Sequence, residues 1–130
     1  MRPAPEKTKG SLMIRHHRKS VHLHGAVEHA GVLYVSGHAA HDLEQDMEGQ
    51  TREICGKLDR LLAECNSDKA HLLQARIYIT DMTQKEAMNR AWLDWLEGID
   101  LPARATIGVA DLGDPRRLIE VAVVAAVKAA

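Results

Sequence analysis

Residues 102–127 read PARATIGVADLGDPRRLIEVAVVAAV, and their reading decides the fold. Two apolar runs, 103–109 and 118–127, flank a loop containing Gly113 and Pro115. Each run has the length and β-branched content of a strand. The second is nearly continuous hydrophobe, the pattern of a strand buried on both faces. Arg104 stands inside the first run and Glu120 inside the second. Burying a lone charge costs several kcal/mol. Each of these two charges must therefore be paired, solvated at a sheet edge, or held for a ligand. An arginine and a carboxylate in one cleft can grip a carboxylate substrate and orient a water.

Working back along the chain, residues 46–65 form the clearest element. Met47, Thr51, Ile54, Leu58, Leu61, Leu62 and Cys65 recur at spacings of three and four, with charged residues on the other faces. This is the pattern of an amphipathic helix. Residues 73–80 alternate, with Leu73, Ala75, Ile77 and Ile79 on one side, and predict a half-buried strand. Thr83 and Glu86 have capping-box spacing ahead of a second helix with an apolar stripe of Met88, Ala91, Trp92, Trp95 and Leu96. Gly98 and Pro102 stop that helix. Residues 26–28 and 31–36 predict a hairpin turning near His29-Ala30-Gly31, and residues 13–24 read weakly as an edge strand or two short strands. Two helices of this size cover one face of a mixed sheet. The other face then needs a second cover, most simply another subunit.

Composition narrows the function. The 130 residues suit one domain with a real core. Residues 1–12, with two prolines and a glycine, read as a flexible N-terminal extension, and 13–130 as a single domain. A formal net charge of −1 provides no global field for nucleic acid or anionic membrane. Two Trp, two Tyr and no Phe argue against a stacking platform for single strands. The N-terminus lacks an apolar signal segment, and no apolar run approaches the roughly 18 residues of a membrane span. Cys55 and Cys65 lie ten apart on one helix, about 15 Å along its axis. A disulfide needs Cα atoms within about 7 Å, so the two do not pair within it. Free thiols and no export signal point to the cytoplasm.

The ordered set of motifs resembles the YjgF/RidA family of reactive-intermediate (imine/enamine) deaminases. The pieces that carry the resemblance are Val35-Ser36-Gly37, the helix QTREICGKLDRLLAE, RIYITDM at 76–82, MNRAW at 88–92, PARAT at 102–106, and LIEVAVVA near the end. The resemblance implies an α+β, chorismate-mutase-like fold with two helices packed on one face of a mixed β-sheet. It also implies a homotrimer with inter-subunit clefts. The implied activity is hydrolysis of 2-imino or 2-enamino acids to 2-oxo acids and ammonia, with no metal and no organic cofactor. Carried over residue by residue, Arg104 matches the arginine that grips the substrate carboxylate, and a guanidinium fork suits that bidentate role. Glu120 matches the glutamate that positions or activates water. Ser36 and Gly37 match the Ser-Gly lining the pocket, and Asn89 matches an asparagine near the site. Two positions depart from the pattern: Thr106 stands where many members have cysteine, and His22 where many have tyrosine. The loop between Arg104 and Glu120 is also one residue longer. These departures bear on substrate range and rate.

Simpler readings stand beside these. Arg104 could serve a structural ion pair, with Glu120 itself as one partner, and Glu120 could face outward at an edge. Asn89 lies off the apolar stripe of its helix, where a solvent-facing role is the default. Eight histidines invite a metal, with His22 and His24 on one side of a strand and His38 and His41 nearby, but no recognised ligand spacing is present. The basic run at 15–19 reads as a solvated face. Three functions compete: the imine hydrolase, a non-catalytic module binding 2-oxo acids or other small carboxylates, and an RNA-directed endoribonuclease or translation inhibitor. Net charge and aromatic scarcity disfavour the last.

Overall fold

A computed structural model describes residues 12–129. Residues 1–11, most of the expected extension, lie outside the described residues. The elements run β1 (Arg15–Lys19), β2 (His24–His29), β3 (Val32–Val35), α1 (Met47–Glu64), β4 (Leu72–Ile79), α2 (Lys85–Trp95), β5 (Ala103–Gly108) and β6 (Ile119–Ala126). Six strands form one sheet in the order β1-β2-β3-β6-β4-β5. Only the β4–β5 pair is parallel, reached by a crossover through α2. The two helices pack on one face, as the helical periodicity requires.

Local chemistry explains the elements. The Asp46 side chain caps α1 by accepting from the Gly49 amide at 2.9 Å. The β2–β3 hairpin turns at Ala30 and Gly31, both at positive φ (52° and 80°), the backbone of a tight hairpin turn. The Thr83–Glu86 capping box does not form. Asp81 takes both the Thr83 amide (3.0 Å) and its hydroxyl (2.6 Å), which builds a short 3-10 turn at Met82–Gln84. Helix α2 starts only at Lys85, without a side-chain cap. Glu86 is thereby left to receive Asn89 Nδ2 at 3.2 Å.

The core lies between helices and sheet. Ile54, Leu58, Leu61 and Leu62 of α1 and Met88 and Trp92 of α2 meet Leu33, Ala75, Ile77, Ile79, Ile119, Val121, Val123 and Ala125 of the sheet. Strand β4 departs from the expected alternation at its start. A register shift between Leu72 and Gln74 buries Leu72 and leaves Leu73 48% exposed. Strand β6 also differs from the double-faced burial expected of it. Ile119, Val121, Val123 and Ala125 are buried, whereas Glu120, Ala122, Val124 and Ala126 on the other face are half-buried. A single chain covers one face of the sheet; Tyr34, Gln74 and Arg76 stand exposed on the other.

Two contacts fix where β6 begins. The side chain of Gln50, fully buried in α1, donates to the carbonyls of Gln45 (3.0 Å) and Arg116 (2.9 Å) and accepts the Leu118 amide (3.0 Å). On the other flank His38 and Val121 exchange both backbone hydrogen bonds, at 2.8 and 2.9 Å. The His38 ring contacts the Ser36 carbonyl through Nδ1 at 2.8 Å. Burial pushes its imidazole pKa below the ordinary value, against the pull of that carbonyl.

Gln50→Ala leaves the Leu118 amide and the Arg116 carbonyl without partners. The expected loss is about 2–4 kcal/mol, measured by urea denaturation. The depressed His38 pKa means that the unfolded chain takes up this proton first as pH falls. Stability is therefore fully present above the ordinary imidazole value of 6.5 and declines as pH drops through it. Melting temperatures from pH 7.5 to 5.5 should fall for the native sequence and flatten in His38→Asn.

Candidate functional site

The fold assembles the expected site residues into two groups. The first forms around Glu120. Beyond β3, Ser36 is held against β2 by its amide and its hydroxyl, both donating to the Gly25 carbonyl at 2.9 Å. This brings Gly37 against β6, where a Cβ would collide with the Glu120 carboxylate. Glu120 therefore holds this position only while residue 37 is glycine. Glu120 faces away from the helices, opposite Tyr78 of β4, and has no ion-pair partner among the described residues.

The second group forms around Arg104, on edge strand β5 beside Ala75 of β4. Ala75 is buried under the helices, so Arg104 points to the helix side, where its Nη1 lies 4.0 Å from Met88 Sδ. It lines a cavity of about 260 Å³ with Asn89, Trp92, Leu93, Leu101 and Pro102. Burial lowers the Arg104 pKa from the usual arginine value, and the nearby Glu86 charge raises it. Among the described residues Arg104 has no carboxylate within ion-pair distance. Residue 104 as a whole is exposed, so that burial is partial, and a guanidinium facing a cavity without a fixed counter-ion is a ready receptor for an external anion. Asn89 Oδ1 is buried without a hydrogen-bond partner, while its Nδ2 is held by Glu86.

Arg104 and Glu120 do not pair. Strand β4 lies between them, and they face opposite sides of the sheet: Arg104 lies level with Ala75 and, beyond it, Val123, three residues from Glu120. Thr106 follows Arg104 on the same face, half-buried beside Ile77, but is not among the residues lining the cavity. His22 sits exposed in the turn between β1 and β2, with no hydrogen bond to either group. Nor does it share a strand side with His24, whose ring packs on His16 at 4.8 Å between centroids. Among the described residues no three His, Cys, Asp or Glu side chains gather as metal ligands. A larger cavity of about 550 Å³ lies in the loop before β6, lined by Asp111 and Asp114. Both carboxylates there are engaged within the loop, on the Gly113 and Arg116 amides.

Sequence reasoning gave Glu86 only a capping role and His38 only a place among possible metal ligands, and it did not single out Leu93 or Leu101, which line the cavity. Glu86 and Asn89 stand at i, i+3 on one helix, a spacing that marks a side-chain pair. His38 directly follows the Ser-Gly pair, which was the signal available for it.

Comparison with known proteins adds an independent line. A sequence model described as Endoribonuclease L-PSP matches residues 17–127. A RutC family protein of Haemophilus influenzae is 35% identical over 98 residues, which cover 75% of this chain and 84% of that protein. The RutC family protein YoaB of Escherichia coli K12 is 34% identical over 101 residues, 78% of this chain and 87% of that protein. The crystal structure of NMB1025 from Neisseria meningitidis, a member of the YjgF protein family, superposes with a TM-score of 0.87 at 32% identity. The match covers 92% of this chain and 99% of that one. Motifs, fold and relatives agree: the chain belongs to the YjgF/RidA family, which includes the RutC and L-PSP proteins.

Proposed function

We propose that the protein hydrolyses 2-imino or 2-enamino acids to 2-oxo acids and ammonia. The observation that carries this reading is Arg104: a cation without a counter-ion beside a small cavity on the helix side of an edge strand. Family membership supports a deaminase-type hydrolase in general terms. The guanidinium takes the substrate carboxylate in a bidentate grip and so presents the adjacent C=N carbon in one orientation. Glu120 receives a proton from water as its oxygen bonds to that carbon. The same proton passes to nitrogen, giving the carbinolamine; Glu120 then takes the hydroxyl proton and delivers it to the amino nitrogen as the C–N bond breaks, so the oxygen closes to the carbonyl, ammonia leaves and the carboxylate is restored. Gly37 leaves room for the carboxylate to do this.

Because Arg104 and Glu120 face opposite sides of one sheet, a single chain does not bring them to one substrate. The working site is therefore formed between chains, with the Arg104 group of one subunit facing the Ser36-Gly37-Glu120 group of the next. A homotrimer closes such a head-to-tail contact. The half-buried outer face of β6, with Ala122, Val124 and Ala126, supplies apolar surface for it. The alternative is a binding module that holds 2-oxo acids without turnover; Thr106 in place of the usual cysteine is what favours it.

The direct assay generates imines in place with an amino-acid oxidase and traps the remainder as semicarbazones. The native protein should lower the trapped signal. Arg104→Ala should lose roughly 100-fold in kcat/KM, and Glu120→Gln about 100-fold or more in kcat. Unchanged trapping with every imine, together with a melting shift by 2-oxo acids, would establish the binding module instead. Mixing Arg104→Ala with Glu120→Gln after dissociation and reassembly should restore activity at about one quarter of the sites, the fraction that combines two intact halves. No recovery would place both residues in one chain's site. Gly37→Ala should keep the fold, since residue 37 is exposed, yet lose activity by displacing the Glu120 carboxylate.

A further inference from the structure

We infer that Arg76 is a positioning residue for Glu120, holding its carboxylate in place once a second chain covers the sheet. The inference rests on the reading of the working site as one formed between chains. On the face turned away from the helices, strands β3, β6, β4 and β5 carry one cation, Arg76, and one carboxylate, Glu120, among the described residues. Arg76 stands opposite Ala122 of β6, and Glu120 lies two residues along the same strand, opposite Tyr78. The two charges are therefore diagonal cross-strand neighbours, at a separation of about 7–8 Å that a long side chain spans. Arg76 is flanked by two alanines, Ala122 on β6 and Ala105 on β5, so no bulky neighbour on either strand confines its guanidinium. It borders a cavity of about 380 Å³ together with Tyr34, Gln74 and Val124.

In the single chain neither charge has a partner within ion-pair distance among the described residues. An open face accounts for that, because an ion pair in water gains too little to hold two long side chains in one geometry. Covering the face reverses the balance. Both charges then lose water, and a guanidinium and a carboxylate so close together cost far less paired than apart. Arg76 is exposed in the single chain, so its side chain is free to make that swing. The other flank of the carboxylate is already closed, since a Cβ at residue 37 would collide with it. Held between Gly37 on the β3 side and Arg76 on the β4 side, the carboxylate loses its freedom to turn along the face. A base fixed before water arrives needs no reorganisation during proton transfer. Arg104 does not serve this purpose within its own chain, because it points to the helix side.

The test is a double-mutant cycle on the full-length protein, with Arg76→Met, Glu120→Gln and the two combined. It is read by kcat and KM for imine hydrolysis and by the melting temperature of the assembled protein. Arg76→Met should lower kcat roughly tenfold with little change in KM. In the Glu120→Gln background it should lower kcat no further, because positioning matters only while the base is present. Arg76→Lys, which keeps the charge, should recover much of the loss. The two melting shifts should be less than additive in the combined variant. Equal losses of kcat in both backgrounds overturn the inference, and so does a loss confined to KM, which would make Arg76 a substrate contact. Where Arg76→Met does not assemble, Arg76→Gln takes its place in the cycle under the same criteria. Absence of turnover in the native protein removes the hydrolase reading alone: less-than-additive melting shifts then still uphold the pairing, and additive shifts overturn it. A native protein that sediments as a single chain overturns the inference, since the face then stays in water.

Discussion

The register of β6 is the constraint on which the rest of the molecule depends. The strand lies between β3 and β4 near the middle of the sheet, and its side chains alternate with a period of two. Ile119, Val121, Val123 and Ala125 meet the helices, which forces Glu120 to the opposite face. A slip of one residue would drive that carboxylate into the core and expose four apolar groups. The structure guards against the slip at the start of the strand. Gln50 holds the Leu118 amide and the Arg116 carbonyl from the helix side, and His38 clamps Val121 from the flank. The buried amide of Gln50 has few ways to satisfy its donors and acceptor, so it specifies geometry better than an apolar residue of the same size.

Arg104 is placed by a different logic. Its strand is the sheet's edge, paired on one side only, and runs parallel to β4 because α2 carries the chain across the face. An edge position tolerates a cation that an interior strand would not, since the guanidinium reaches water along its free side. Burial still depresses its pKa, and the nearest influence of opposite sign is Glu86, which is itself tied to Asn89. The side chain thus keeps its charge at an exposed edge without a fixed counter-ion, the arrangement expected where a ligand completes the site.

Much of this was legible in the sequence, and the gaps have physical causes. Helix α1 and strand β6 were readable because long periodic patterns leave few alternatives, and the turn at Ala30-Gly31 because left-handed backbone favours glycine there. Leu73 was misassigned because a bulge shifts the alternation by one residue, and nothing in the local pattern marks a bulge. The Thr83 cap failed because Asp81, only two residues earlier, takes the Thr83 amide that Glu86 would have received and the Thr83 hydroxyl as well. The separation of Arg104 from Glu120 was not visible at all. It follows from β6 inserting between β3 and β4, a pairing between segments far apart in sequence that local propensity does not encode.

The contact between Gly37 and Glu120 has a consequence for how such a chain can change over generations. A side chain at 37 leaves the fold intact but displaces the Glu120 carboxylate, so residue 37 stays glycine for as long as position 120 carries that duty. Replacement without loss of function at that moment therefore runs one way: loss at 120 first, occupation of 37 second. After the second step, restoring the glutamate alone would meet a filled space. Descendants that abandon the carboxylate are then held in the new role by sterics alone, so glycine at 37 serves as a record of whether a lineage still has the path back.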